Sequence, residues 1–262
     1  MSATLDQILA STRAGLPALH ARQRELERRA LEAPAPPEFA AAFGGARVAL
    51  VAEVKRRSPS AGTIRADLDP VERAECYVAS GAAAISVLTD RAYFGGSIED
   101  LAGVAARVPV PVLRKDFILD ELQIVEARAA GAAAVLLIVR ALAPARLRSL
   151  LRFSQDAGLE ALVEVHTRAE VDAALDAGAR ILGVNSRDLD TFRIDVAAAW
   201  ELLGLIPPDR IAVAESGMGL PADVERAAAA GADGVLIGTA LSAAADPATL
   251  VSLLAAVRRR GR

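Results

Sequence analysis

The chain has 262 residues, enough for one large core, and 53 % of them are hydrophobic, which excludes a disordered chain. A formal net charge of −3 argues against broad nucleic-acid binding, and no apolar run reaches the length that spans a bilayer. Cys76 is the only cysteine and there are two histidines, so an internal disulfide is impossible and a structural zinc site is not expected. Residues 1–10 lack a basic segment followed by an apolar core, so no secretory signal is expected and the expected location is the cytoplasm.

Residues 4–32 place Leu5, Ile8, Leu9, Leu16, Leu19, Leu26 and Leu31 at near-helical spacing among charges, which predicts one or two amphipathic helices interrupted at Gly15 and Pro17. His20 falls on this segment and is expected to be solvated. The run Ala33-Pro34-Ala35-Pro36-Pro37 then ends the helix, and Phe39 and Phe43 are expected to plug a core. Residues 1–46 are thus assigned to an N-terminal helical extension packed on the main domain, residues 47–262.

Beyond residue 47 a repeat emerges. Five helices end in Ala-Gly or Ser-Gly and run directly into an apolar strand, at Gly81, Gly131, Gly158, Gly178 and Gly231. Three more strands lack that lead-in: Val48–Val54, Val110–Lys115 and Arg210–Glu215. Helices are predicted near 70–80, 97–107, 120–130, 144–157, 167–177, 195–204, 220–230 and 247–260, several opening on a cap or a proline, as at Asp69-Pro70 and Asp246-Pro247. Eight strand–helix units in a chain of this length predict the α/β class, a (β/α)8 TIM barrel with the N-terminal extension. A doubly wound open sheet is the alternative, but no glycine fingerprint follows the first strand. Cys76 and Trp200 are assigned to packing.

Barrels of this kind carry their chemistry at the C-terminal strand ends. Those ends read Glu53 and Lys55; Thr89-Asp90; Lys115-Asp116; Val139-Arg140; Glu164 and His166; Asn185 to Asp188; Glu215-Ser216-Gly217; and Gly238-Thr239. Lys55 and Lys115 stand out because they are the only lysines among 30 basic residues. Most solvated positions accept either cation, but only lysine can hand over a proton at useful pH. Glu53 and Lys55 lie two apart on a strand and point the same way. Ser216-Gly217 and Gly238-Thr239 offer hydroxyls and close backbone approach to an anion, a phosphate cup. His166 is expected at the rim or in a structural role, turned away from Glu164.

The blocks Glu53-Val54-Lys55-Arg56-Arg57-Ser58-Pro59-Ser60, Val87-Leu88-Thr89-Asp90 with Tyr93-Phe94-Gly95-Gly96-Ser97, Leu113-Arg114-Lys115-Asp116-Phe117-Ile118, Leu162-Val163-Glu164-Val165-His166, and Asn185-Ser186-Arg187-Asp188-Leu189 with Ala214-Glu215-Ser216-Gly217 occur in order. Together they resemble the indole-3-glycerol-phosphate synthases of tryptophan biosynthesis. The resemblance implies a carboxy-lyase that converts 1-(2-carboxyphenylamino)-1-deoxyribulose 5-phosphate to indole-3-glycerol phosphate, losing carbon dioxide and water, with no cofactor and no metal. It implies catalytic roles for Glu53, Lys55, Lys115, Glu164, Asn185 and Glu215, with Lys115 matching the general acid, Glu164 the proton acceptor or cation stabiliser, and Lys55 a lysine near the substrate carboxylate that is a candidate second acid; which lysine serves which step stays open. It also implies substrate contacts from Ser58, Phe94, Arg187, Ser216, Gly217, Gly238 and Thr239, and closure of loop 56–62 over the substrate. Thr239 stands where serine is usual, Leu122 where tyrosine is common and Met218 where isoleucine is common. The partners expected are a phosphorylated small molecule and other tryptophan-pathway enzymes, with neither nucleic acid nor membrane. Two other readings stay open: a phosphate-binding barrel isomerase of tryptophan or histidine biosynthesis, which the lysine–glutamate set disfavours, and a non-catalytic barrel scaffold.

Overall fold

The computed structural model describes residues 4–261, so the outermost residues of the two assigned segments, 1–3 and 262, lie outside the described residues. Eight parallel strands close a barrel: β1 (Ala49–Val54), β2 (Ala84–Leu88), β3 (Val112–Lys115), β4 (Ala134–Ile138), β5 (Glu160–Val165), β6 (Ile181–Asn185), β7 (Ile211–Glu215) and β8 (Gly234–Ile237). Each pairs with its neighbours in sequence, and β1 pairs with β8 through Ala49 opposite Gly234 to close the ring. The eight predicted strands are therefore the eight observed ones, within two residues at each end.

The alternation of helix and strand follows local chemistry. All five glycines of the repeat have positive φ, from 75° at Gly158 to 107° at Gly81, the left-handed turn that ends a helix and releases the next strand. At the other end, Asp69 Oδ1 accepts from the amides of Val71 at 2.8 Å and Glu72 at 3.0 Å, capping a helix whose first residue is Pro70. Strand residues alternate between two apolar layers. Val51, Leu113, Leu136, Leu162, Ile181, Val213 and Leu236 fill the barrel interior, while Leu50, Ile85, Val135, Leu137, Val163 and Leu182 pack outward against the helices.

The N-terminal extension forms α1 (Leu5–His20) and α2 (Gln23–Glu32). The expected break at Gly15 and Pro17 is not there. Proline removes one amide donor, but α1 runs through it and ends three residues later, with Ala21 N donating to Pro17 O at 3.1 Å. Leu5, Ile8 and Leu9 anchor it against the apolar cluster that continues the barrel interior. The side chain of His20 is half exposed, its Nε2 3.2 Å from Asp120 Oδ1. Phe39 and Phe43 do plug the floor: both are buried, their rings meet edge to face with centroids 5.4 Å apart, and a methyl on Gly234 would come within 2.5 Å of the Phe43 ring.

Candidate active site

The C-terminal strand ends open into a cavity of about 430 Å³. Every residue assigned a catalytic or substrate role lines it: Glu53, Lys55, Ser58, Phe94, Lys115, Glu164, Asn185, Arg187, Glu215, Ser216, Gly217, Gly238 and Thr239. Asp90, Asp116, Phe117, Leu189, Phe192, Ile194 and Met218 also line it, though none of them is assigned a catalytic or substrate role from the sequence. Leu189, Phe192 and Ile194 left a trace in the sequence, as apolar residues spaced through the otherwise polar loop after β6.

Charges are interleaved at the base of the cavity. Lys55 Nζ sits 2.6 Å from Glu53 Oε1, as the shared strand face requires. Lys115 Nζ lies between two carboxylates, 2.8 Å from Glu164 Oε2 and 3.1 Å from Glu215 Oε2. Glu53, Glu164 and Glu215 are all buried, and two glycines make room for them. A methyl on Gly183 would fall 2.0 Å from Glu215 Oε1, and one on Gly238 would fall 2.1 Å from Glu53 Oε1 and 3.0 Å from Lys55 Nζ.

One ammonium cannot hold two buried carboxylates equally. Burial pushes the Glu215 carboxyl up to about 7, against the pull of Lys115 and with the added repulsion of Glu164. Burial also acts on Glu164, but Lys115 and His166 outweigh it and hold that carboxyl below its usual range. Lys115 is held above the ordinary lysine value: burial lowers it, and Glu164, Glu215 and Glu53 more than offset that. Two carboxyls on either side of one lysine therefore favour different protonation states, a division suited to moving protons at neutral pH.

Supports behind the cavity fix this set. Arg114, buried on the outward side of β3, binds Asp116 Oδ2 at 3.1 Å, Glu126 Oε2 at 3.0 Å and the Gln123 carbonyl at 2.7 Å. Thr89 Oγ1 donates to Asp116 Oδ2 at 2.5 Å. Strand ends Thr89 and Asp116 thus brace the residue between Arg114 and Asp116, which is Lys115. Arg56 anchors the root of the loop after β1 through Asp100, at 2.6 and 3.2 Å, and through the Gly95 carbonyl at 3.2 Å. Beyond Arg56 the chain makes a small antiparallel hairpin, Arg57–Ser58 with Gly62–Thr63.

At the mouth, Arg187 Nη1 is 3.4 Å from Ser60 Oγ and from the Phe192 carbonyl. It makes no ion pair within 4.0 Å among the described residues, and burial pulls its guanidinium below the usual value while Glu53 opposes that. A half-buried cation without a carboxylate partner is suited to an incoming anion. Ser216 and Gly217 both have positive φ, 64° and 72°, and line the cavity together with Thr239, the first residue of a short helix, Thr239–Ala243.

His166 is a correction. Residues two apart on a strand share a face, so the ring does not turn away from Glu164: Nε2 lies 3.5 Å from Glu164 Oε1, and Nδ1 lies 3.3 Å from Glu170 Oε2. Among the described residues no group of three or more His, Cys, Asp or Glu is arranged to hold a metal ion.

Known proteins share this chain's sequence along its length. A family profile described as indole-3-glycerol phosphate synthase matches residues 5–254. The indole-3-glycerol phosphate synthase 2 of Streptomyces coelicolor is 47 % identical over 253 residues, covering 96 % of this chain and 98 % of that one. That of Dehalococcoides mccartyi is 48 % identical over 228 residues, covering 85 % and 87 %. Among solved structures, the 3-hexulose-6-phosphate synthase of Salmonella typhimurium superposes with a TM-score of 0.64 at 18 % identity, covering 79 % of this chain and 97 % of that chain, which speaks for the barrel alone. A profile matched from residue 5 to residue 254, and relatives nearly half identical across almost their whole length, carry one conclusion: the chain belongs to the indole-3-glycerol phosphate synthase family.

Proposed function

We propose that the cavity closes the indole ring of 1-(2-carboxyphenylamino)-1-deoxyribulose 5-phosphate, releasing carbon dioxide and water. The observation that carries the reading is Lys115 between Glu164 and Glu215 at 2.8 and 3.1 Å. A phosphorylated small molecule fits the rest of the site: the cup of Ser216, Gly217, Gly238 and Thr239 takes the phosphate, Arg187 takes the ring carboxylate, and Phe94 flanks the aromatic ring together with Phe117, whose ring centroid is 6.2 Å away. Ser58, at the hairpin after β1, closes that side as the loop moves in.

The proton count assigns the remaining roles. As the ring carbon bearing the carboxylate attacks the ketone carbon, the ketone oxygen needs one proton, which Lys115 supplies. Loss of carbon dioxide leaves its electron pair in the ring and restores aromaticity. The new hydroxyl leaves as water after taking a second proton, from Lys55 beside Glu53. The cation so formed is held by Glu164, which removes a proton from the neighbouring methylene carbon. Two protons in and one out give a net uptake of one. Glu215 resets the proton on Lys115, and Asn185 with Glu53 holds the sugar hydroxyls.

In this reading residues 47–262 are the catalytic barrel and 1–46 its helical extension, working without cofactor in the cytoplasm. Among the described residues no helix is long and apolar enough to cross a membrane. The test is fluorescence of purified protein mixed with the substrate, without added metal. An indole signal that disappears in Lys115→Ala is the expected outcome. Tight binding of the substrate with no indole formed would defeat the reading.

A further inference from the structure

Beside the reacting groups, two buried polar atoms face each other without a hydrogen bond. His166 Nε2 and Glu164 Oε1 are 3.5 Å apart, and neither has a hydrogen-bond partner among the described residues. The His166 side chain is 4 % exposed, so water does not compensate freely. Its other nitrogen is engaged: Nδ1 is 3.3 Å from Glu170 Oε2, an oxygen that also accepts from the His166 amide at 2.7 Å. A neutral imidazole has one N–H and would turn a bare lone pair toward one of these carboxylates. An imidazolium donates to both.

Two carboxylates around the ring favour that form and one cation opposes it. Glu164 faces the ring from β5 and Glu170 from the following helix, while Arg140, in the turn after β4, acts against the ring's charge; Glu164 is itself faced by Lys115 and Asn185. Burial lowers the imidazole's proton affinity, but Glu170 and Glu164 outweigh it and the net direction is upward. Glu170 is fixed in turn by Arg140 Nε at 3.3 Å, and Arg140 Nη1 holds Asp188 Oδ2 at 3.0 Å, next to Arg187.

We propose that His166 is a positioning residue for Glu164: as an imidazolium it bridges Glu170 and Glu164 and fixes the carboxylate that partners Lys115. The proposal rests on the ring-closure reading of this cavity. Deprotonation of His166 frees Glu164 to rotate off Lys115, so turnover falls on the alkaline side.

Because His20 and His166 are the only histidines, ring nitrogen-15 NMR of the full chain gives two imidazoles, assigned with His20→Gln. Both nitrogens of His166 should be protonated at neutral pH, with a midpoint above the ordinary imidazole value, and Glu170→Gln should lower that midpoint by about one pH unit. In kinetics, His166→Leu should lower kcat by about tenfold with KM little changed and flatten the alkaline limb, and His166→Gln, which keeps a donor, should recover part of the loss. A neutral His166 ring in weakly acidic buffer, or a His166→Leu enzyme with wild-type kcat and pH profile, overturns the proposal. If His166→Leu fails to fold, the NMR titration and the Glu170→Gln profile decide it. A wild-type chain that makes no indole defeats the ring-closure reading instead, and the NMR still settles the charge on His166.

Discussion

A single methyl group placed on Gly183 tests whether the base of the cavity is as tightly set as its distances imply. Ordinary contact begins near 3.4 Å and the methyl of Gly183→Ala would land 2.0 Å from Glu215 Oε1, so the carboxylate must retreat by about 1.4 Å. The methyl has little room to move away instead, because Leu162 Cδ1 would lie 3.2 Å from it. The contact at risk is the 3.1 Å pair of Glu215 with Lys115. Losing a charge-assisted hydrogen bond costs about 1.5–3 kcal/mol, and a displacement of ~1 Å in an active site costs about a hundredfold in rate; the two figures agree. The expected result is a kcat lower by about a hundredfold, read by indole fluorescence, with KM changing far less. Overpacking should also cost ~1–3 kcal/mol of stability. Glu215→Asp shortens the side chain by one methylene and restores room, so the double variant should lose less than the product of the two single losses. A Gly183→Ala enzyme with near wild-type kcat would refute the reasoning, because the carboxylate would then be free to move without consequence.

Other outcomes follow from the same contacts. Gly15→Ala should stabilise the chain by ~0.5–1 kcal/mol in urea, since Gly15 lies inside α1 with open space where its methyl would go; a loss would mean α1 is not continuous there. Glu215 has its folded-state pKa above the unfolded value, at about 7. Its contribution to stability is therefore present at low pH and lost as pH rises from the usual carboxylate range through 7. Glu215→Gln, fixed in the neutral form, should match wild type in acid and melt higher than wild type at alkaline pH, while losing turnover. A melting difference that does not vary with pH would contradict this. Arg114→Met leaves Asp116 buried without its cation and Glu126 with only Arg22, at 3.8 Å, which should cost ~3–5 kcal/mol in urea denaturation; a loss below ~1 kcal/mol would show that the carboxylates are solvated after all.

The architecture was legible because it repeats. Glycines after helices and charges after apolar strands recur at the barrel's own period, and each left-handed glycine turned out where its helix ends. The two lysines were legible through their scarcity and their places at strand ends. What escaped detection had no periodic or compositional signal. Two residues pairing with two, as in the hairpin of Arg57–Ser58 and Gly62–Thr63, leave no pattern to count. Gly183 and Gly238 look like strand residues until their neighbours are known, and their lack of a side chain matters only because Glu215 and Glu53 occupy the space. Arg114 reads as one more surface arginine beside Lys115, but it points between strand and helix to Glu126, a partner twelve positions on. His166 was misjudged on strand parity, which its sequence position already contained. Pro17 misled because a helix anchored by packed leucines tolerates the loss of one donor.

The floor of the barrel links segments made at opposite times. Phe43, near the start of the chain, presses on Gly234 of the last strand, and its carbonyl accepts from Arg259 Nη1 at 3.0 Å. Val48 N reaches the carbonyl of Val257 at 3.0 Å, and Ala40 N reaches Glu160 Oε2 at 2.7 Å. During synthesis from the N-terminus, both aromatic rings emerge before any of these partners exist. A half-made barrel therefore lacks the Phe43 contact with Gly234 and carries an unpaired β1 edge until β8 arrives, at which point the floor and the seam close together. Assembly of the ring, and with it of every strand end around the cavity, is tied to the last strand translated, which makes closure a late and cooperative event rather than a strand-by-strand accretion.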